Sequence, residues 1–254
     1  MKRFLTGCVS AVLSFLSSAA EKAHDSLFKY LCKVGGVLCA VQLPNGSIVS
    51  IAASYGETFT VSDISNAAIG VATMVETHGI QEGDIIEITS GWSRLTDKIV
   101  RIGTVDTNDA QLEGIDTSSL SIYPAGSGGG SAREILTWTQ LQQIIESSTD
   151  GGEQQFLTYQ FLEADAQKRI PTVKNPSGMT FQIADDPTLA GFILASAAND
   201  DRLPRAIRIT LPSGAFIFYN AYITLNKIPR LTVNELMAVE VTLSLLSEPT
   251  RYAS

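Results

Sequence analysis

From Val41 onward the chain alternates apolar and polar residues with a period of two, the pattern of strands that bury one face. The turn Pro44-Asn45-Gly46 stands before an extended apolar segment and predicts a strand over about 47–54. Short β-rich pieces follow at Gly70–Val75, Asp84–Thr89, Lys98–Val105 and Gln111–Glu113, separated by His78-Gly79, Ser90-Gly91 and Thr107-Asn108-Asp109. Such spacing without a long helical period predicts a small barrel of about 60 to 70 residues. The run Gly126-Ser127-Gly128-Gly129-Gly130-Ser131 reads as a flexible connection that ends it.

Arg133–Ser147 fits two templates. Trp138, Leu141, Ile144 and Ile145 share a helical face, while Thr137, Trp138, Thr139 and Ile144 suit a strand. Glu153–Leu162 is strand-like, with bulk from Phe156, Tyr159 and Phe161. Asp185-Asp186-Pro187 has the form of a helix start and predicts a helix over about 187–198, with Leu189, Phe192, Ile193 and Ala197 facing a sheet.

Ala206–Leu211, the turn Pro212-Ser213-Gly214 and Ala215–Thr224 predict a hairpin. In its second strand Phe216, Phe218 and Tyr222 point one way, and Ile217, Tyr219 and Ile223 the other. With both faces apolar, this strand is either central in a sandwich or buried by a neighbouring subunit. A last strand over Leu236–Leu246 places Met237, Val239, Val241, Leu243 and Leu245 inward, against Glu240, Thr242 and Ser244 outward.

Composition narrows the class. The chain has 254 residues, 44% of them hydrophobic, enough for a packed core and too apolar for a disordered chain. It contains no run of about 18 apolar residues suited to crossing a membrane. A formal net charge of −8 argues against a protein that wraps nucleic acid by neutralising phosphates.

That charge is unevenly spread. Residues 1–40 carry Lys2, Arg3, Lys22, Lys29 and Lys33 against Glu21 and Asp25, leaving 13 basic and 24 acidic side chains, a net of −11, in the remainder. A boundary near Ala40 follows. Met1-Lys2-Arg3, the apolar run Phe4–Leu16 and Ser17-Ser18-Ala19-Ala20 have the order of a secretory signal. Leu5-Thr6-Gly7-Cys8 has the form of a lipoprotein box, with too few residues before it. The other readings are a helix over roughly 9–33 and an upstream extension from a mis-called start.

Tests for chemistry fail. Any triad would have to use His24 or His78, and Cys8, Cys32 and Cys39 have no identifiable base. Cys32 and Cys39 with His24 make a weak ligand set, better read as free thiols. The glycine run lacks the Lys-Ser/Thr of a phosphate loop. Asp106-x-Asn108-x-Ala110 opens like a calcium loop, but Ala110 offers no ligand oxygen. Asp185-Asp186 and Asp200-Asp201 read as caps and loop charges. The expectation is a protein with no catalytic site, no cofactor and no metal.

Several segments together resemble the major tail tube protein of long non-contractile phage tails and related prophages. They are Leu43-Pro44-Asn45-Gly46, Ile51-Ala52-Ala53-Ser54-Tyr55-Gly56, Gly83–Trp92, Gly151–Phe156, Ile170-Pro171-Thr172, Ala184–Gly191, Leu211-Pro212-Ser213-Gly214 and Tyr219-Asn220-Ala221-Tyr222. The resemblance covers about residues 41–254. It implies a mainly β fold: a tail-tube β-sandwich or barrel, 41–61 with 126–254, flanked by one α-helix. A small β-barrel module over 62–125 is inserted in it, and 1–40 is an N-terminal extension. Arg133–Ser147 is then a strand.

By the same resemblance the function is that of a structural virion protein forming stacked hexameric rings, a hollow tube through which DNA is delivered without specific binding. Partners would be further copies of itself, a tape-measure protein, a tail terminator and tail-tip proteins, with no membrane. Its place would be the virion tail, assembled in the host bacterial cytoplasm. Subunit contacts would fall on Ile48, Ile51, Tyr55, Phe216, Phe218 and Tyr222. If the insert is a separate module, deleting about residues 64–124 leaves the rest able to fold. The alternatives are the inner tube of a contractile, type VI-like device and an exported binding module of two β domains.

Overall fold

The first strand is far longer than its turn signal suggests, because a bulged stretch near Ser54–Thr58 lets it bend instead of ending. In the computed structural model, which describes residues 44–75 and 79–253, β1 runs from Ile48 to Ile64. The strands β2 (Val71–Met74), β3 (Ile85–Ser90), β4 (Lys98–Asp106) and β5 (Asp109–Leu112) follow, then β6 (Gly130–Leu141) and β7 (Ile144–Gly151). A hairpin comes next, β8 (Gln154–Tyr159) and β9 (Lys168–Lys174), then β10 (Ser177–Ala184) and the helix α1 (Ala190–Asp201). The chain finishes with β11 (Arg205–Thr210), β12 (Phe216–Arg230), β13 (Ala238–Leu245) and β14 (Thr250–Tyr252). Among the described residues the protein is mainly β with one helix, as the alternation and the signal near Pro187 predict.

All pairings are antiparallel, and two halves share β1 and β6. The far half of β1, then β2, β5, β4, β3 and the near half of β6 pair in turn back to β1, so these six strands close a barrel. Its interior is solid, packed by Trp92, Leu95, Ile86, Ile88, Ile102 and Leu112. The other ends of β6 and β1 continue into a sheet in the order β6-β1-β11-β12-β13-β10-β7, with β14 extending the β13 side of β12. Residues Asn45–Ser254 thus make one compact unit.

The glycine run is not a flexible connection. Gly128 is buried against Trp92, and Gly130 opens a barrel strand, where a Cβ would lie 2.0 Å from the Thr89 carbonyl oxygen. Glycine stands here because backbones touch. Arg133–Ser147 is strand, broken between β6 and β7 at Gln143, whose φ of 58° turns the corner.

The helix begins later than the Asp-Pro signal predicts. Asp186 instead accepts the backbone N–H (3.0 Å) and hydroxyl (2.6 Å) of Thr188 in a turn, and α1 starts at Ala190 without a side-chain cap. Its buried stripe is Gly191, Ala195 and Ala198, so Ile193 faces out. Small residues win because the helix lies close on the sheet: a Cβ at Gly191 would stand 2.4 Å from the Gln140 carbonyl oxygen. Met237, expected inward, is 51% exposed, because β13 begins only at Ala238.

Candidate assembly surface

The doubly apolar strand β12 is covered on both faces by its own chain. On one side Tyr219, Ala221, Ile223 and Leu225 join the main core with Ile51, Phe181 and the helix alanines. On the other, Phe218 is packed by Ile99 of the barrel, Ile135 and Tyr252, with the ring centroids of Trp138, Phe216 and Tyr252 within 6.0 Å. The central-strand alternative therefore accounts for its apolarity, and the barrel wall supplies the second cover.

This arrangement sorts the residues expected at subunit contacts. Ile51 and Phe218 lie inside the subunit core, at 1% and 2% exposure. Tyr55 and Phe216 are half-buried against the same face, and the Tyr55 hydroxyl accepts the Ala206 N–H at 2.9 Å. Only Ile48 and Tyr222 are open to a partner, at 41% and 45%.

A polar seam joins barrel to sheet. Glu87, buried, accepts from Arg133 (2.8 Å) and from the Asn220 amide (2.7 Å), and the Arg133 guanidinium lies 4.0 Å from the Tyr55 ring centroid. A carboxylate that deep is tolerated because both oxygens have donors. The C-terminus closes the seam: the Tyr252 hydroxyl accepts the Arg101 N–H (2.9 Å) and donates to the Glu113 carbonyl (3.1 Å), with Arg101 over its ring.

Burial pushes the Tyr252 phenol up to about 12, and raises Tyr55 and Tyr219 as well. Each folded-state value lies above the unfolded one of about 10, so this stability is whole below about pH 10 and is lost as pH rises through 12. Thermal melts between pH 9 and 12 should fall steeply for the wild type. Tyr252→Phe should melt lower at neutral pH, by about 1 kcal/mol for its hydrogen bonds, and fall less steeply in alkali.

What the subunit leaves open is apolar. Among the described residues the hairpin β8–β9 pairs only with itself and extends as an arm on which Phe156, Leu157, Phe161, Leu162, Ile170 and Val173 are all exposed. Both faces are apolar, since Phe156 sits opposite Pro171 and Leu157 opposite Ile170. The loop between β12 and β13 adds Leu231, Val233 and Leu236. A lone two-stranded hairpin is marginal in water, and exposed apolar area of this extent marks a binding surface.

The expected contacts fall on the sheet, and the exposed apolar residues of β9 and this loop are not among them. The signal was there in Ile170-Pro171-Thr172-Val173, apolar residues between Lys168-Arg169 and Lys174. Pro171 hid it, because proline is tolerated only on such an edge strand.

Among the described residues no group of three or more His, Cys, Asp or Glu side chains is placed to hold a metal ion, and no helix is long and apolar enough to cross a membrane. The acidic turn Asp106–Asp109 joins β4 to β5, and the Asp109 carboxylate accepts from the Thr73 hydroxyl at 2.7 Å. The signal-like run, Cys8, Cys32, Cys39, His24 and His78 lie outside the described residues.

Among the described residues the subunit is a sheet with a barrel at one end and an exposed apolar arm. The chain belongs to the phage tail tube protein family, whose profile matches residues 90–254. It is therefore a structural, non-enzymatic component of the virion tail.

Among solved structures it is similar to the tube-terminating cap of the anti-feeding prophage, at 17% identity and a TM-score of 0.32, over 45% of this chain and 83% of that one. It is also similar to a chain of the extended sheath–tube complex of an extracellular contractile injection system, at 16% identity and a TM-score of 0.31, over 42% and 80%. No curated protein matches the chain in sequence.

Proposed function

We propose that this subunit forms hexameric rings that stack into a hollow tail tube through which DNA passes. The tube assembles in the bacterial cytoplasm with a tape-measure protein, a terminator and tail-tip proteins. The observation that carries this reading is the arm, a self-paired hairpin on which six large apolar side chains are left exposed among the described residues, which suits a contact with another copy. Ile48 and Tyr222 add contacts on the sheet. Residues 62–125, which complete the barrel with β1 and β6, decorate the outside of the ring or add to its contacts. The acidity of residues 41–254 suits a lumen along which phosphates slide without binding.

Negative-stain electron microscopy of the full chain at high concentration tests this. Hollow tubes of uniform width are expected from the wild type. The double variant Leu157→Lys, Ile170→Asp, whose opposite charges face each other across the hairpin, should give folded monomers with unchanged circular dichroism, because the two exposed sites tolerate charge in the subunit but not in a contact. Tubes from this variant, or wild-type monomers at every concentration in the presence of tail-tip protein, would remove the support for it.

A further inference from the structure

Two of the 13 basic side chains in residues 41–254, Lys174 and Arg251, line one cleft of this acidic protein, and two more, Arg94 and Lys98, stand close to its Glu248. At the foot of the arm, beside the bulge between β13 and β14, lies a cleft of about 520 Å³. Lys174 and Arg251 line it, together with the apolar Leu245, Leu246 and Pro249. Lys174 donates to Glu248 at 2.6 Å, and Lys98 and Arg94 stand near enough to act on the same carboxylate. The opposing charges are Glu248 and, at the rim, Glu153, which accepts from Asn175 at 3.3 Å. In the lining itself Lys174 and Arg251 stand against Glu248, and Lys98 and Arg94 lie behind them near the same carboxylate, so the cleft is basic. The Lys98 ammonium is depressed by burial first and by Arg94 as well, so further carboxylates would relieve it.

The tip of the arm carries apolar and acidic groups, with Lys168 and Arg169 behind them at the start of β9. Its turn, Phe161-Leu162-Glu163-Ala164-Asp165, presents two exposed apolar side chains, with Leu162 fully exposed, beside two carboxylates. The turn is preformed: the Ala164 N–H bonds the Phe161 carbonyl at 3.0 Å, the Gln160 amide bonds the Ala164 carbonyl at 2.7 Å, and Tyr159 packs edge-on against Phe161. A rigid knob gives up little conformational freedom on docking.

We propose that the Phe161–Asp165 turn of one copy docks in the basic cleft at the foot of the arm of a second copy, with Phe161 and Leu162 against the Leu245–Pro249 wall and Glu163 and Asp165 among Lys174, Arg251, Lys98 and Arg94. This rests on the tube reading and names the two surfaces that join. The six residues of β8 span about 20 Å, so the turn stands away from its own cleft and must use another copy's. A tip-to-foot contact is heterologous, and repeated without closure it builds an open stack.

Zero-length carbodiimide coupling, which joins carboxylates to lysine amines in direct contact, tests it on a mixture of ¹⁴N- and ¹⁵N-labelled full chains at high concentration. Mixed-isotope links from Glu163 or Asp165 to Lys174 or Lys98 are expected. Links from these carboxylates only to other lysines, or none, would overturn the docking. In sedimentation, Glu163→Lys with Asp165→Lys, and separately Lys174→Glu with Arg251→Glu, should each weaken self-association by about tenfold or more, and mixing the two variants should restore it. Undiminished association by either variant would overturn the contact while leaving tubes intact. The expected links without any hollow tube would instead count against the tube reading alone.

Discussion

Truncating Phe218 to Ala should cost about 3–5 kcal/mol of folding stability, while Tyr222→Ala on the same strand face should cost under about 1 kcal/mol. Phe218 is 2% exposed and enclosed by three aromatic rings, Ile99 and Ile135, so its removal leaves a cavity that a sheet cannot collapse around. Tyr222 is 45% exposed and gives up little. For a domain with a total of about 5–15 kcal/mol, the first change brings the subunit to the edge of unfolding. Phe218→Asp should then yield no folded subunit at all, a loss that appears as failed assembly but begins in the core. Urea unfolding of both alanine variants measures the difference. Equal, small effects would mean that the barrel does not cover this face.

Deleting residues 65–125 should leave an insoluble chain. From the spacing of its strands the insert reads as a module whose removal spares the rest, and the pairings argue otherwise. Its four strands complete a barrel with β1 and β6, so excision exposes Val61, Ile64 and Ala132 at once. It also strips Ile99 from Phe218 and Tyr252, and takes Glu87 away from Arg133 and the buried Asn220 amide. Uncovered strands with unpaired edges associate. Expression of the deletion beside the full chain, followed by circular dichroism and denaturant unfolding of any soluble product, decides this. A soluble product with one cooperative transition would show that the barrel is separable.

Much of this fold is legible in residue order. The turn at Pro44-Asn45-Gly46, the hairpin around Pro212-Ser213-Gly214 and the β-rich pieces between 70 and 113 all lie where alternation and turn residues put them. These signals are local, since a strand with one wet face must alternate and a tight reversal needs glycine or proline. The candidate surface was half legible. The family segments point to assembly, but the expected contacts lie on β1 and β12, where apolar faces speak equally of a core and of an interface.

Period-two patterning sufficed for a mainly β protein, and the resemblance of its segments to tail tube proteins for a place in a tail. Only the tertiary structure decided that the glycine run is a packed strand start, that a barrel covers Phe218, and that the apolar surplus lies on β8–β9 and the Leu231–Leu236 loop. The reason is physical: the alternation of a strand reports that a face is apolar, whereas what covers that face depends on pairings between residues far apart in the chain, such as Arg101 with Tyr252 or Glu87 with Asn220.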